Sequence, residues 1–286
     1  MKLDILQMLS YQRPAWSKTE SEFIRKYIDP VKGIYGDRYG NRILNRQGSK
    51  VMIACHTDTV HRFSGRQRVI VKNGTAQLPA KTVSNCLGAD DTAGIYAALC
   101  MIEAGVQATF VFHRAEEIGG RGSMWLAENY PEWLRTFDVC LSLDRRGTAD
   151  IITSQLGQRT ASDLFAASLS DSLGMDHKPV PGIFTDSVNY SHLIPECSNL
   201  SVGYEREHSA LESLDVEYLE RVIERLIAVD WQSLVVSRSR DDIGIEDDDY
   251  IFACDHCGDC GEVSAIGKDI LCAYCAGLLE GAATES

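Results

Sequence analysis

No run of about 18 consecutive apolar residues occurs in the 286-residue chain, which excludes a membrane-spanning helix. Met1-Lys2-Leu3-Asp4-Ile5-Leu6-Gln7-Met8-Leu9 is too short and too polar to read as a secretory leader, so none is expected. Basic residues are in deficit: 28 Lys and Arg face 41 Asp and Glu, a net charge of −13. That deficit argues against a nucleic-acid or anionic-membrane surface and fits a site that gathers carboxylates around metal ions. No repeat at a solenoid period is present. These absences leave a cytoplasmic protein as the expectation. The length suits one sizeable domain, with or without a small module.

The ten cysteines are unevenly placed. Cys55, Cys86, Cys100, Cys140 and Cys197 are scattered, whereas five crowd between Cys254 and Cys275. Without a leader, clustered cysteines point to metal rather than to disulfides.

Residues 1–28 read as helical, with a capping signal at Ser17-Lys18-Thr19-Glu20. Arg42–Asn45 reads as a strand, and Val69–Lys72 with Ala76–Leu78 as a hairpin around Asn73-Gly74. Lys50–Cys55, Ala108–His113 and Asp138–Leu143 are short continuous apolar runs, the mark of strands buried on both faces, and Asn199–Tyr204 reads as a fourth strand. Helices are expected over residues 122–128, 161–173 and 216–235. Alternating strands and helices predict an α/β fold, a mostly parallel mixed sheet with helices on both faces.

Each buried strand runs into a metal-binding residue type: His56 and Asp58, then Glu116 and Glu117, then Asp144, then His208. The turn Gly88-Ala89-Asp90-Asp91, which opens an apolar helix, lies among them. Singly these have bland readings. Asp90-Asp91 would serve as an acidic helix cap, Glu116-Glu117 as a complement to a helix dipole, and His56 as a surface residue. Together they place like charges at one sheet edge, the edge at which open α/β sheets bind ligands, and gathering them without a cation is costly.

In this order, His-x-Asp, Gly-Ala-Asp-Asp, Glu-Glu, Asp and His resemble the co-catalytic dizinc exopeptidase superfamily. Leu87–Ile95 and Ala54–Val60 are similar to the peptidase T motifs, and the resemblance spans residues 30–230. It implies a zinc-peptidase core in which Asp90 bridges two zinc ions. His56 and Asp144 would complete one site, and Glu117 and His208 the other. It further implies that Asp58 fixes the tautomer of His56, that Asp90–Asp91 is a cis peptide, and that Glu116 is the general base. Residues 145–207 leave too little chain for the lid domain of the peptidase T and carboxypeptidase G groups. The plan is therefore that of the lidless leucyl-type aminopeptidases, which act on a free N-terminus of a peptide. An amidohydrolase or deacylase on N-acyl or other non-peptide amides, and a non-catalytic binding module, stay open as alternatives. Cobalt or manganese are alternatives to zinc. Asp186 and Ser187 resemble a cleft-lining segment, with a helix cap as the bland reading. His61 and His113 have no role in the pattern.

Cys254, Cys257, Cys260, Cys272 and Cys275 around a hairpin-like stretch, residues 262–271, look like a zinc ribbon holding one structural zinc. Cys257 and Cys260 with Cys272 and Cys275 form the more compact set; Cys254 is the rival ligand. With one Lys, no Arg and six acids from Ile251 to Ser286, this segment suits protein contact or self-association better than phosphate. The expected domain plan is a catalytic domain over 1–236, an acidic linker over 237–250 and the ribbon over 251–286.

Overall fold

The computed structural model describes residues 3–240 and Ile243, and the backbone of Val263–Ile266 and Asp269–Cys272. Nine strands form the main sheet: β1 Tyr35–Gly36, β2 Arg42–Leu44, β3 Val51–His56, β4 Thr109–His113, β5 Val139–Arg145, β6 Asp150–Gln155, β7 Gln158–Arg159, β8 Lys178–Gly182 and β9 Glu196–Ser201. Their spatial order is β7-β6-β9-β5-β3-β4-β2-β1, with β8 also paired to β6. The central four, β9, β5, β3 and β4, are mutually parallel, whereas β1 and β2 run antiparallel at one side.

The central strands read as continuous apolar runs because both faces of the sheet are covered. Along β3, Ile53 and Cys55 face one core while Met52 and Ala54 face the other, as a period of two requires. Helices α1 Ala89–Glu103, α3 Asp163–Leu173 and α4 Val216–Ala228 close the first core. Helix α2 Arg121–Asn129 closes the second through Leu126 and Ala127, beside Leu134, Phe137, Tyr190 and Leu193. The mostly parallel α/β sheet with helices on both faces is therefore the observed fold.

Three element expectations are corrected. The N-terminal segment is not one helix: Ile5–Leu9 and Lys18–Phe23 are separated by Tyr11–Gln12, which pairs with Gly65–Arg66. Pro14 cannot continue a helix, and Ser17 caps the second piece by accepting the Glu20 N–H. Strand β9 begins at Glu196 rather than Asn199. Its buried carboxylate accepts N–H bonds from Ser162, Ser237 and Arg238, so a charged residue enters the sheet satisfied. The strand stops before Gly203, whose φ of +94° turns the chain away. Helix α4 ends at Ala228, after which Trp231 and Leu234 fold back into the core. Residues 237–240 dock on the domain: Arg238 donates to the Thr160 and Pro195 carbonyls, and Arg240 to those of Leu193 and Phe137.

Near the C-terminus, Val263–Ile266 and Asp269–Cys272 form an antiparallel hairpin. The proposed ribbon ligands Cys254, Cys257, Cys260 and Cys275, and the side chain of Cys272, lie outside the described residues. Among the described residues no helix is long and apolar enough to cross a membrane.

Candidate metal centre

Parallel pairing brings the carboxyl ends of the four central strands to one edge. His56 is the last residue of β3, and Asp144 is the penultimate residue of β5. Glu116 and Glu117 follow β4 by a short turn, and His208 lies on the loop beyond β9. The turn before α1 supplies Asp90. Gly94 lets that helix seat on β5, since a Cβ there would lie 2.0 Å from the Leu143 carbonyl oxygen. The adjacent acids have different tasks. Asp90 faces the site, while Asp91 turns inward and accepts the N–H of His56 at 3.1 Å and of Gly94 at 2.9 Å. The Asp90–Asp91 peptide is cis.

The two oxygens of Asp90 meet different histidines. Oδ1 lies 2.9 Å from His56 Nε2, and Oδ2 lies 3.0 Å from His208 Nε2. Asp144 Oδ1 is 3.5 Å from His56 Nε2, and Glu117 Oε1 is 3.3 Å from His208 Nε2. The sets His56, Asp90, Asp144 and Asp90, Glu117, His208 each gather their donor atoms within 4.8 Å. Donors at about 2.0–2.1 Å from a tetrahedral zinc stand about 3.3 Å apart, so both sets fit such an ion. Nδ1 of His56 lies 3.1 Å from the Asp58 backbone carbonyl. A carbonyl can only accept, so Nδ1 carries a proton, and Nε2 is the nitrogen that faces the site and would ligate an ion on giving up its own proton.

The electrostatics mark an excess of buried negative charge. Burial by itself would lower the pKa of His56, but the charges of Asp144 and Glu116 raise it well above the usual histidine range. His208 is likewise pushed to about 11, against burial, by its bonds to Asp90 and Glu117. Burial and the Asp90 charge lift Asp144 to about 6. Protons on the histidines stand in for cations here, and metal binding at such a cluster releases protons.

Asp58 meets His56 most closely through its backbone. Its carboxylate is 3.7 Å from His56 Nδ1 and accepts the N–H groups of Glu116 and Glu117, both at 3.1 Å. It therefore positions the turn that carries both glutamates, while its backbone carbonyl orients His56. Asp186 and Ser187 lie behind the cleft rather than on its wall. Asp186 is buried against His113, 3.1 Å from Nδ1, and accepts from Ser123. Ser187 bonds Gln155 and the Ser198 carbonyl. Their segment reaches the site through its neighbours: Thr185 donates to Asp144 Oδ2 at 2.7 Å, and Phe184 lines the cleft. His113 packs at a strand end, bonded to the Tyr190 hydroxyl. His61 is buried beside Thr59 and Gln67.

Glu212 is a site residue that the strand and motif patterns do not reveal. Its buried carboxylate accepts four successive N–H groups, from Leu87, Gly88, Ala89 and Asp90, at 2.7–3.1 Å. It thus holds the turn that aims Asp90. Burial and the Asp90 charge push its carboxyl up, to about 8, against these donors. The sequence signal is only a carboxylate four residues after His208, in a loop without periodicity. Glu212→Gln should leave part of this nest without an acceptor, destabilising the fold by at least about 2 kcal/mol and weakening zinc binding about 10- to 100-fold. Urea unfolding and competitive zinc titration check this; a variant with wild-type stability would refute the cradle.

A small cleft of about 100 Å³, open to solvent, is lined by Asp90, Glu116, Asp144 and His208. No family model and no curated protein sequence matches the chain. Solved structures do resemble it. Aminopeptidase PepT from Bacillus cereus ATCC 10987 has 15% identity and a TM-score of 0.62, over 80% of this chain and 96% of that one. A tripeptidase from Staphylococcus aureus subsp. aureus Mu50 has 14% identity and a TM-score of 0.63, over 78% and 95%. The TET1 peptidase of Pyrococcus horikoshii, which can assemble into a tetrahedron or a large octahedral shell, has 16% identity and a TM-score of 0.58, over 79% and 98%. The chain has the fold of these peptidases.

Proposed function

We propose that the chain is a metal-dependent hydrolase of amide bonds, an aminopeptidase working with two zinc ions and a glutamate base. The observation that carries this reading is the placement of Asp90, one oxygen toward His56 and the other toward His208. His56 and Asp144 would hold one ion, Glu117 and His208 the other, with Asp90 shared. Bound there, the metal pair would supply Lewis-acid polarisation of the scissile carbonyl and a more acidic water.

The remaining chemistry belongs to the side chains. Glu116 is 2% exposed and lines the cleft floor. It takes a proton from the attacking water and returns it to the leaving amine. Thr185 and Tyr204 donate to the two oxygens of Asp144 and hold its orientation. Asp58 holds the Glu116-Glu117 turn. The aminopeptidase and tripeptidase neighbours support peptide substrates, and the short span between Asp144 and His208 supports action at a free N-terminus. The same reading includes the domain plan of 1–236, 237–250 and 251–286, and one structural zinc on Cys257, Cys260, Cys272 and Cys275. Self-association through that ribbon and a cytoplasmic location belong to it too.

The test is a matched peptide set with free and N-acetylated N-termini, offered to protein loaded in turn with zinc, cobalt and manganese. Cleavage only of peptides with a free N-terminus is expected, with the highest rate in zinc. Cleavage of the acetylated peptides alone would replace this reading with a deacylase.

A further inference from the structure

Charge is unevenly shared along the chain. Residues 241–286 hold twelve acids against the single Lys268, a net −11 out of the chain's −13. Residues 59–89 are the converse: they contain no Asp or Glu, and they carry Arg62, Arg66, Arg68, Lys72 and Lys81. The fold gathers part of that charge. Arg66, Arg68 and Lys81, all exposed, line a surface groove of about 620 Å³ together with Pro79 and Val83, which is 99% exposed. Arg66 stacks on Tyr11 and donates to the Ser10 hydroxyl. Among the described residues none of the three cations has a carboxylate partner. The matching pattern is Glu246-Asp247-Asp248-Asp249 followed by Tyr250-Ile251-Phe252, which lies outside the described residues: four acids, then three apolar side chains. Isolated surface ion pairs contribute little. Several charges around an apolar anchor do more, because the anchor supplies affinity and the charges choose the partner.

Position decides whose acidic run can arrive. Arg240 is fixed at the amino end of β5, on the side of the second core, by the Phe137 and Leu193 carbonyls. The groove lies at the opposite end of the sheet and on the other face. Gln67, on its wall, donates to the carbonyl of Leu9, a residue of the first core, and to that of Leu87, beside the Asp90 turn. The seven residues of β5 alone span about 20 Å. The six steps from Arg240 to Glu246 reach about 21 Å at most, which leaves no length to go round the domain. We propose that the groove docks residues 246–249 of a second copy of this chain, with Tyr250 and Phe252 against Pro79 and Val83. Reciprocal exchange about a two-fold axis fills both grooves. The peptidase reading is not required for this contact.

The experiment is analytical ultracentrifugation of the full chain, alongside the double variants Arg68→Glu with Lys81→Glu and Asp247→Lys with Asp248→Lys, and their equimolar mixture. Wild type should dimerise at about 0.1 M salt, and its dissociation constant should rise about tenfold or more at about 1 M, where the screening length falls from about 10 to 3 Å. Each variant alone should be monomeric. The mixture should recover a dimer, because each reversed run then meets a groove of opposite sign, and a misfolded chain could not be rescued in this way. Carbodiimide cross-linking of mixed isotope-labelled and unlabelled wild type should join Lys81 to residues 246–249 between copies. A monomeric wild type, or a mixture that stays monomeric, would overturn the inference. A dimer that survives both reversals would assign association to another surface, such as the ribbon, and overturn it too. Cross-links only within one copy would give the groove to the chain's own run. Binding of inorganic polyphosphate by a monomeric wild type, lost with Arg68→Glu and Lys81→Glu, would give it to a free polyanion; either result overturns the second copy.

Discussion

Glu116→Gln should lower kcat by about 10²- to 10⁴-fold, the usual contribution of a positioned acid–base group, while zinc content stays at the wild-type level. Glu116 is distinguished from its neighbours by distance. Its Oε2 lies 3.9 Å from His56 Nε2, whereas Asp90 and Asp144 approach the same atom to 2.9 and 3.5 Å. Its backbone is held by Asp58 and its side chain faces the cleft, so the amide replacement keeps the shape and removes only the proton acceptor. KM should change little, because the loss falls on the transition state. Metal analysis alongside steady-state kinetics separates the outcomes. A variant that loses zinc would show that Glu116 is a ligand and that the two glutamates have exchanged roles.

Asp90→Ala should abolish activity and also the response of the protein to zinc. Zinc at about 100 times its Kd stabilises a native state by about 2.7 kcal/mol per ion, which for a domain of this size raises Tm by about 5 to 10 °C. Asp90 is common to the His56–Asp144 and Glu117–His208 sets, so its removal should weaken both ions, whereas Asp144→Ala should weaken only the ion at His56. Thermal unfolding with and without zinc reads the difference directly. A full zinc-induced shift in Asp90→Ala would rule out the shared site.

The donor residues were legible because they sit where regular strands end. A run such as Ala54-Cys55-His56 announces both the buried strand and the point at which it stops. Asp144 and the Glu116-Glu117 turn follow the same pattern. His208 was legible through its motif alone, since β9 ends at Ser201 and an irregular loop carries the chain the rest of the way. The split of the first 28 residues was hidden because apolar spacing there suits a helix, while Pro14 and the pairing of Tyr11 with Arg66 decide otherwise.

The supporting groups were not legible at all. Glu212 stands 122 residues from Asp90, whose N–H it accepts, and Thr185 stands 41 residues from the carboxylate it orients. Such contacts leave no periodic trace, and their chemistry does not depend on the neighbours in sequence. Asp58 shows the same limit within a motif: its identity could be read, but not which of its oxygens would serve His56 and which the glutamate turn. The sequence by itself determined the sheet, its covered faces and the residue types offered at one edge, because burial imposes a period on the chain. Only the tertiary structure decided which carboxylate meets both histidines, which one holds backbone and which faces the cleft. Those outcomes depend on where distant N–H groups and side chains come to rest around each one.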